Sequence, residues 1–73
     1  MKIFKSLTGR KTYLVFPSTT KLEEAREKAK RYFRCSLAHL KQEIGYVYRG
    51  QLYLQDPERK GVRLVMVLHY VRM

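Results

Sequence analysis

Val62-Arg63-Leu64-Val65-Met66-Val67-Leu68-His69-Tyr70-Val71 is the strongest strand-forming run in the chain, and its reading decides the fold. Alternation puts Val62, Leu64, Met66, Leu68 and Tyr70 on one face and Arg63, Val65, Val67, His69 and Val71 on the other. Apolar side chains on both faces mark a central strand with a sheet neighbour on each side. One helical layer covers one face of a sheet, so Val65 and Val67 are expected to form an exposed patch unless a second helix covers them.

Outward from this run, Asp56-Pro57-Glu58-Arg59-Lys60-Gly61 carries turn chemistry throughout. Before it, Tyr46-Val47-Tyr48 and Leu52-Tyr53-Leu54 flank a turn at Arg49-Gly50 and read as two further strands. At the other end of the chain, Lys2 to Leu7 and Thr12 to Phe16 read as a hairpin turning at Gly9, with Pro17 ending its second strand. Thr20 and Glu23 have the spacing of a capping box, which predicts a helix over residues 21–33. Its apolar stripe is Leu22, Ala25, Ala29, Tyr32 and Phe33. Glu23, Glu24 and Glu27 stand near its start and Lys28, Lys30, Arg31 and Arg34 near its end, the order that the helix dipole favours. Ser36 is placed to cap a second, short helix with a stripe of Leu37, Leu40 and Ile44 and with Gly45 at the C′ position. The expected architecture is α+β, in the order β-β-α-α-β-β-β, with one main helix packed across the sheet. The expected core is Ile3, Leu14 or its neighbours Tyr13 and Val15, Leu22, Ala25, Ala29, Phe33, Leu64, Met66 and Leu68.

Seventy-three residues make one domain, because what remains after a first core cannot close a second. Sixteen Lys and Arg against six Asp and Glu leave a formal charge of +10. Self-repulsion of that size opposes compaction, and an anionic partner is the usual reason to keep it. No apolar run is long enough for a signal peptide or a membrane span. With the lone Cys35, whose simplest role is that of a small buried hydrophobe, this gives the expectation of a protein of the cytoplasm, monomeric, with no membrane partner.

The opening Met1-Lys2-Ile3-Phe4, then Leu7-Thr8-Gly9, Lys11-Thr12, Pro17-Ser18 and Thr20, resembles the start of the ubiquitin family, one residue shorter between Phe4 and the turn. The close match covers about the first quarter of the chain. Tyr46-Val47-Tyr48-Arg49-Gly50 is similar in pattern to that family's central strand and turn, and Leu64 to Tyr70 to its last strand. The resemblance implies a β-grasp sheet, whose first and last strands pair in parallel at the centre. It also carries the family's apolar recognition patch onto Leu7, Val47 and Val67. It does not imply conjugation, because Val71-Arg72-Met73 is not a two-glycine tail. As a compact, strongly basic chain without chemistry of its own, the protein also resembles the small phage-encoded regulators that bind host RNA polymerase. That likeness implies inhibition of initiation, or antitermination.

Catalysis needs a nucleophile, base or metal set that one fold can assemble. His39, His69 and Cys35 have no zinc spacing, no Gly-rich phosphate loop occurs, and the carboxylates are few and clustered. No enzyme activity, cofactor, metal or small-molecule substrate is therefore expected. What remains is Lys and Arg interleaved with aromatics, at Lys2-Ile3-Phe4-Lys5, Lys30-Arg31-Tyr32-Phe33-Arg34 and Tyr46-Val47-Tyr48-Arg49. Tyr32, Phe33 and Phe4 are read as core, which leaves charge as the exposed signal and favours protein docking over base reading. The candidate partner-binding residues are Lys2, Lys5, Arg10 and Lys11 of the hairpin, Lys30, Arg31 and Arg34 at the helix end, and Arg49. Their expected partner is the acidic surface of a nucleic-acid machine, RNA polymerase first. Direct RNA or DNA binding and a ubiquitin-like, non-conjugated adaptor stand as alternatives.

Overall fold

The computed structural model describes residues 1–6, 8–54 and 61–71. Its elements are β1 (Lys2–Lys5), β2 (Thr12–Pro17), α1 (Leu22–Phe33), a single 3₁₀ turn (Leu37–His39), β3 (Leu40–Tyr48), β4 (Gln51–Leu54) and β5 (Leu64–Tyr70). The strands form one sheet in the order β1-β2-β5-β3-β4, antiparallel at every pairing. The fold is α+β, and the run that decides it, β5, lies at the centre, between β2 and β3.

The pairing differs from the β-grasp arrangement that the ubiquitin resemblance implies. There the first strand lies beside the last; here β1 is an edge strand and β2 takes the place next to β5, with Leu14 opposite Leu68 and Val15 opposite Val67. The side chains explain the exchange. Leu14-Val15-Phe16 is apolar on both faces and buried throughout, as an interior strand requires. Short β1 carries Lys2 and Lys5, the charges that protect an open edge.

The expected second helix is also corrected. Only the 3₁₀ turn forms, and β3 starts at Leu40, so Gly45 is a mid-strand residue and not a helix cap. Leu40 and Ile44 share a face at helical spacing and at strand spacing alike, and the free edge of β5 selects the strand: Leu40 pairs with Tyr70 and Ile44 with Met66. The helix α1 ends where expected but starts one residue later, without its capping box. Lys21 is the N-cap and makes no side-chain cap bond, while the Thr20 N–H donates to the Pro17 carbonyl at 2.9 Å, inside the preceding turn.

Under α1, Leu14, Phe16, Met66 and Leu68 of the sheet meet Ala25 and Ala29, with Phe33 and Leu40 packed at the margin. The two alanines let the helix approach closely. Three expected core residues lie outside: Ile3 is exposed and Leu64 is 52% exposed, because β1 and the start of β5 run beyond the helix footprint, and Leu22 is exposed at the first position of α1. The opposite face is not left to solvent. Val15 and Val67 are buried there and Val65 is half-buried without a second helix, because the sheet curls. Its two edges share a groove, with Phe4, Lys5, Ser6 and Tyr13 on one side and Gly50, Gln51, Leu52 and Leu54 on the other. Gly45 permits the curl, since a Cβ at this position would collide with the Tyr53 carbonyl of β4.

Candidate anion-binding end of the sheet

Three elements bring cations to the end of the sheet marked by Tyr70. The first is the turn between β1 and β2. Tyr13 lies opposite His69, so the residues before it project past the end of β5. The Ser6 N–H donates to the Lys11 carbonyl at 2.9 Å and the Gly9 N–H to the Ser6 carbonyl at 2.8 Å, while the Lys11 N–H donates to Ser6 Oγ at 3.1 Å. Gly9 supplies the positive φ that the turn needs. These bonds hold Arg10 and Lys11 at the rim of a pocket shared with His69, Tyr70 and Val71.

The second element is the start of β3, where Lys41 lies opposite His69 and is largely exposed. The third is the end of α1. The Phe33 ring sits 6.1 Å from that of Tyr70, so exposed Lys30, Arg31 and Arg34 arrive at the same end. Two of the helix carboxylates lie elsewhere. Glu23 and Glu24 occupy the first turn of the helix, roughly 15 Å away at 1.5 Å per residue, with Glu24 3.5 Å from Lys28. Glu27 stands one turn before Lys30 and Arg31 in the helix, and Glu43 also lies near this end, with its Oε1 3.8 Å from Nζ of Lys41 and its other oxygen toward the concave face.

There Glu43 Oε2 lies 3.2 Å from Nε2 of His69, within ion-pair range, although the ring N–H is not aimed along a hydrogen bond. His69 is 7% exposed, and its ring centroid is 5.2 Å from that of Tyr13. Burial pushes the imidazole pKa below its usual value; Glu43 opposes that shift and the charges of Lys11 and Lys41 reinforce it. A neutral imidazole closes the concave face, and the local positive field comes from lysine and arginine.

Five of the eight residues singled out in the sequence therefore lie toward this end: Arg10 and Lys11 beside His69 and Tyr70, and Lys30, Arg31 and Arg34 at the end of α1. Lys2 lies at the opposite end, in a groove with Val15, Pro17 and Val65. Lys5 faces the seam between the sheet edges together with Gly50, the neighbour of Arg49. Arg49 and Gly50 form the two-residue turn between β3 and β4, both with positive φ, and the Arg49 guanidinium lies 5.4 Å from the ring centre of Tyr48. Lys41 was missed, since on a helix it would have had no fixed neighbour; the polar–apolar alternation from Leu40 to Ile44 was the available signal.

The aromatics are also placed differently from expectation. Tyr32 is 44% exposed and Tyr70 43% exposed. The rings of Tyr32, Phe33, Tyr70 and His39 follow one another at centroid spacings of 5.1, 6.1 and 5.5 Å, the last pair stacked within 20°. His39 is further fixed by its Nδ1, 3.4 Å from the Val71 carbonyl oxygen.

The apolar patch carried over from the ubiquitin family does not form a surface: Val67 is fully buried, Val47 is half-buried on the concave side, and Leu7 lies outside the described residues. The turn over residues 56–61 lies outside them too, apart from Gly61. Among the described residues no three His, Cys, Asp or Glu side chains are grouped to hold a metal ion, and no helix is long and apolar enough to cross a membrane. Comparison with family models, curated proteins and solved structures finds no match.

Proposed function

We propose that this protein works by binding, without chemistry of its own, and holds an anionic partner against the cationic end of its sheet. The observation that carries the reading is charge segregation. Arg10, Lys11, Lys41, Lys30, Arg31 and Arg34 come from three elements far apart in sequence, and two of the three carboxylates of α1, Glu23 and Glu24, lie in its first turn at the far end. Helix-dipole stabilisation accounts for cations at the end of α1, but not for Arg10, Lys11 and Lys41, which belong to the sheet. Such a polarised field accelerates encounter with an acidic surface and orients it. We assign the partner to a nucleic-acid machine, with RNA polymerase as the first to test and inhibition of initiation or antitermination as the consequence. The adaptor alternative needs its recognition patch at the surface, and of the described residues of that patch Val67 is buried and Val47 half-buried.

The test compares two charge-matched variants. Arg10→Glu/Lys11→Glu reverses the cationic end, and Lys21→Glu/Arg26→Glu makes the same change in net charge near the other end of the helix. The first should elute from immobilised heparin at clearly lower salt and lose capture of purified bacterial RNA polymerase, while the second stays close to wild type. Equal losses would mean that total charge alone matters, and the localised site would be wrong.

A further inference from the structure

We propose that the cationic end binds single-stranded nucleic acid directly, with the exposed tyrosines of the aromatic row as stacking positions for bases. The inference rests on the binding role given to this end and names the partner's chemistry. At a protein interface tyrosines among arginines fill pockets of the partner, whereas on a single strand they meet flat bases. A single strand needs both, since its phosphates are met by Lys and Arg while its bases offer flat faces to aromatic side chains.

This end supplies the two kinds of contact side by side. Tyr32 stands in the helix between Arg31 and Arg34, and Tyr70 shares its pocket with Arg10 and Lys11. Between them Phe33 is tied into the core, and His39 stacks on one face of Tyr70, so the row is held in place before any ligand arrives. A braced platform loses less entropy on binding than free side chains do. A duplex hides its base faces, so exposed rings find nothing to stack on there. The predicted ligand is thus a single strand, read with little preference for sequence because every base has a face to stack.

The experiment titrates the full chain with fluorescein-labelled oligo(dT) and oligo(U), and with a duplex of equal length, over a series of salt concentrations. Both single strands should bind, and the duplex at least about tenfold more weakly. The sequence has six tyrosines and no tryptophan, so quenching of tyrosine emission on binding reports stacking directly. Tyr32→Ala and Tyr70→Ala should each weaken binding by roughly fivefold or more with the salt slope unchanged. Arg10→Glu/Lys11→Glu should flatten that slope, because the slope counts phosphate contacts. Tyr70→Phe keeps the ring and should bind as wild type, which separates lost stacking from disturbed packing.

Equal affinity for duplex and single strand, or tyrosine-to-alanine variants that bind as wild type, would overturn the platform. Absence of oligonucleotide binding while heparin and polymerase capture persist would overturn this inference and leave the docking role standing. Failure of the charge-reversal contrast itself would remove both.

Discussion

Arg34 and Arg49 are the two non-glycine residues, among those described, with positive φ, at 53° and 51°. For an L-residue the left-handed region costs about 1 kcal/mol, which is why Gly or Asn usually occupies it. At Arg34 the conformation closes α1: its own N–H and that of Cys35 both reach the Lys30 carbonyl, the latter at 3.2 Å. Glycine would satisfy these bonds without strain. A guanidinium held at a strained position on the cationic end is a pointer to function. Arg34→Gly is therefore expected to raise stability by roughly 0.5 kcal/mol, strain relief less the helix-dipole contribution of the lost cation, and to weaken anion binding severalfold. Urea denaturation and heparin elution measure the two effects. A variant that is more stable and binds as tightly as wild type would show that Arg34 touches no partner.

At the scale of elements, β3 decides the shape of the molecule, and it was the least legible part of the sequence. The helix was readable because its stripe and its charge order agree, and β5 because it is apolar on both faces. In β3 the spacing of Leu37, Leu40 and Ile44 suits a helix, Gln42 places a polar residue on the face shared with Leu68, and Gly45 imitates a helix cap. What settles the segment is the open edge of β5, distant in sequence and invisible to local reading. The candidate site was half legible for the same reason: charges are countable in a sequence, but Lys41 and Tyr70 join the site only through the pairing of β3 with β5. The bend at Gly45 is the part of this element that can be tested alone. Because a Cβ there would meet backbone and not a movable side chain, Gly45→Ala should cost about 2–3 kcal/mol as an overpacking defect. It should also open the seam between β1 and β4, seen as faster amide exchange in both edge strands. Unchanged stability would mean that the curl does not depend on this residue.

For the molecule as a whole, the charge that serves binding opposes folding. A formal charge of +10 in 73 residues, with six cations gathered at one end, repels itself in the compact state more than in the expanded chain, where the charges separate. Salt screens that repulsion: the Debye length falls from about 30 Å at 0.01 M to about 8 Å at 0.15 M ionic strength. Screening acts on the partner in the opposite sense, since bound phosphates or carboxylates compete with salt ions. Stability and affinity are thus expected to respond to salt with opposite signs. Between about 0.01 M and 0.15 M sodium chloride the melting temperature should rise by several degrees while affinity for a polyanion falls by an order of magnitude or more. Arg10→Glu/Lys11→Glu removes repulsion where it is concentrated, so its melting temperature at low salt should exceed that of wild type and should change less as salt is added. Lys21→Glu/Arg26→Glu alters net charge equally but lies where Glu23 and Glu24 already balance the field, so its salt response should stay close to that of wild type. Identical salt responses from the two variants, measured by thermal denaturation at matched pH, would show that the cations act as a diffuse total and not as a cluster at the end of the sheet.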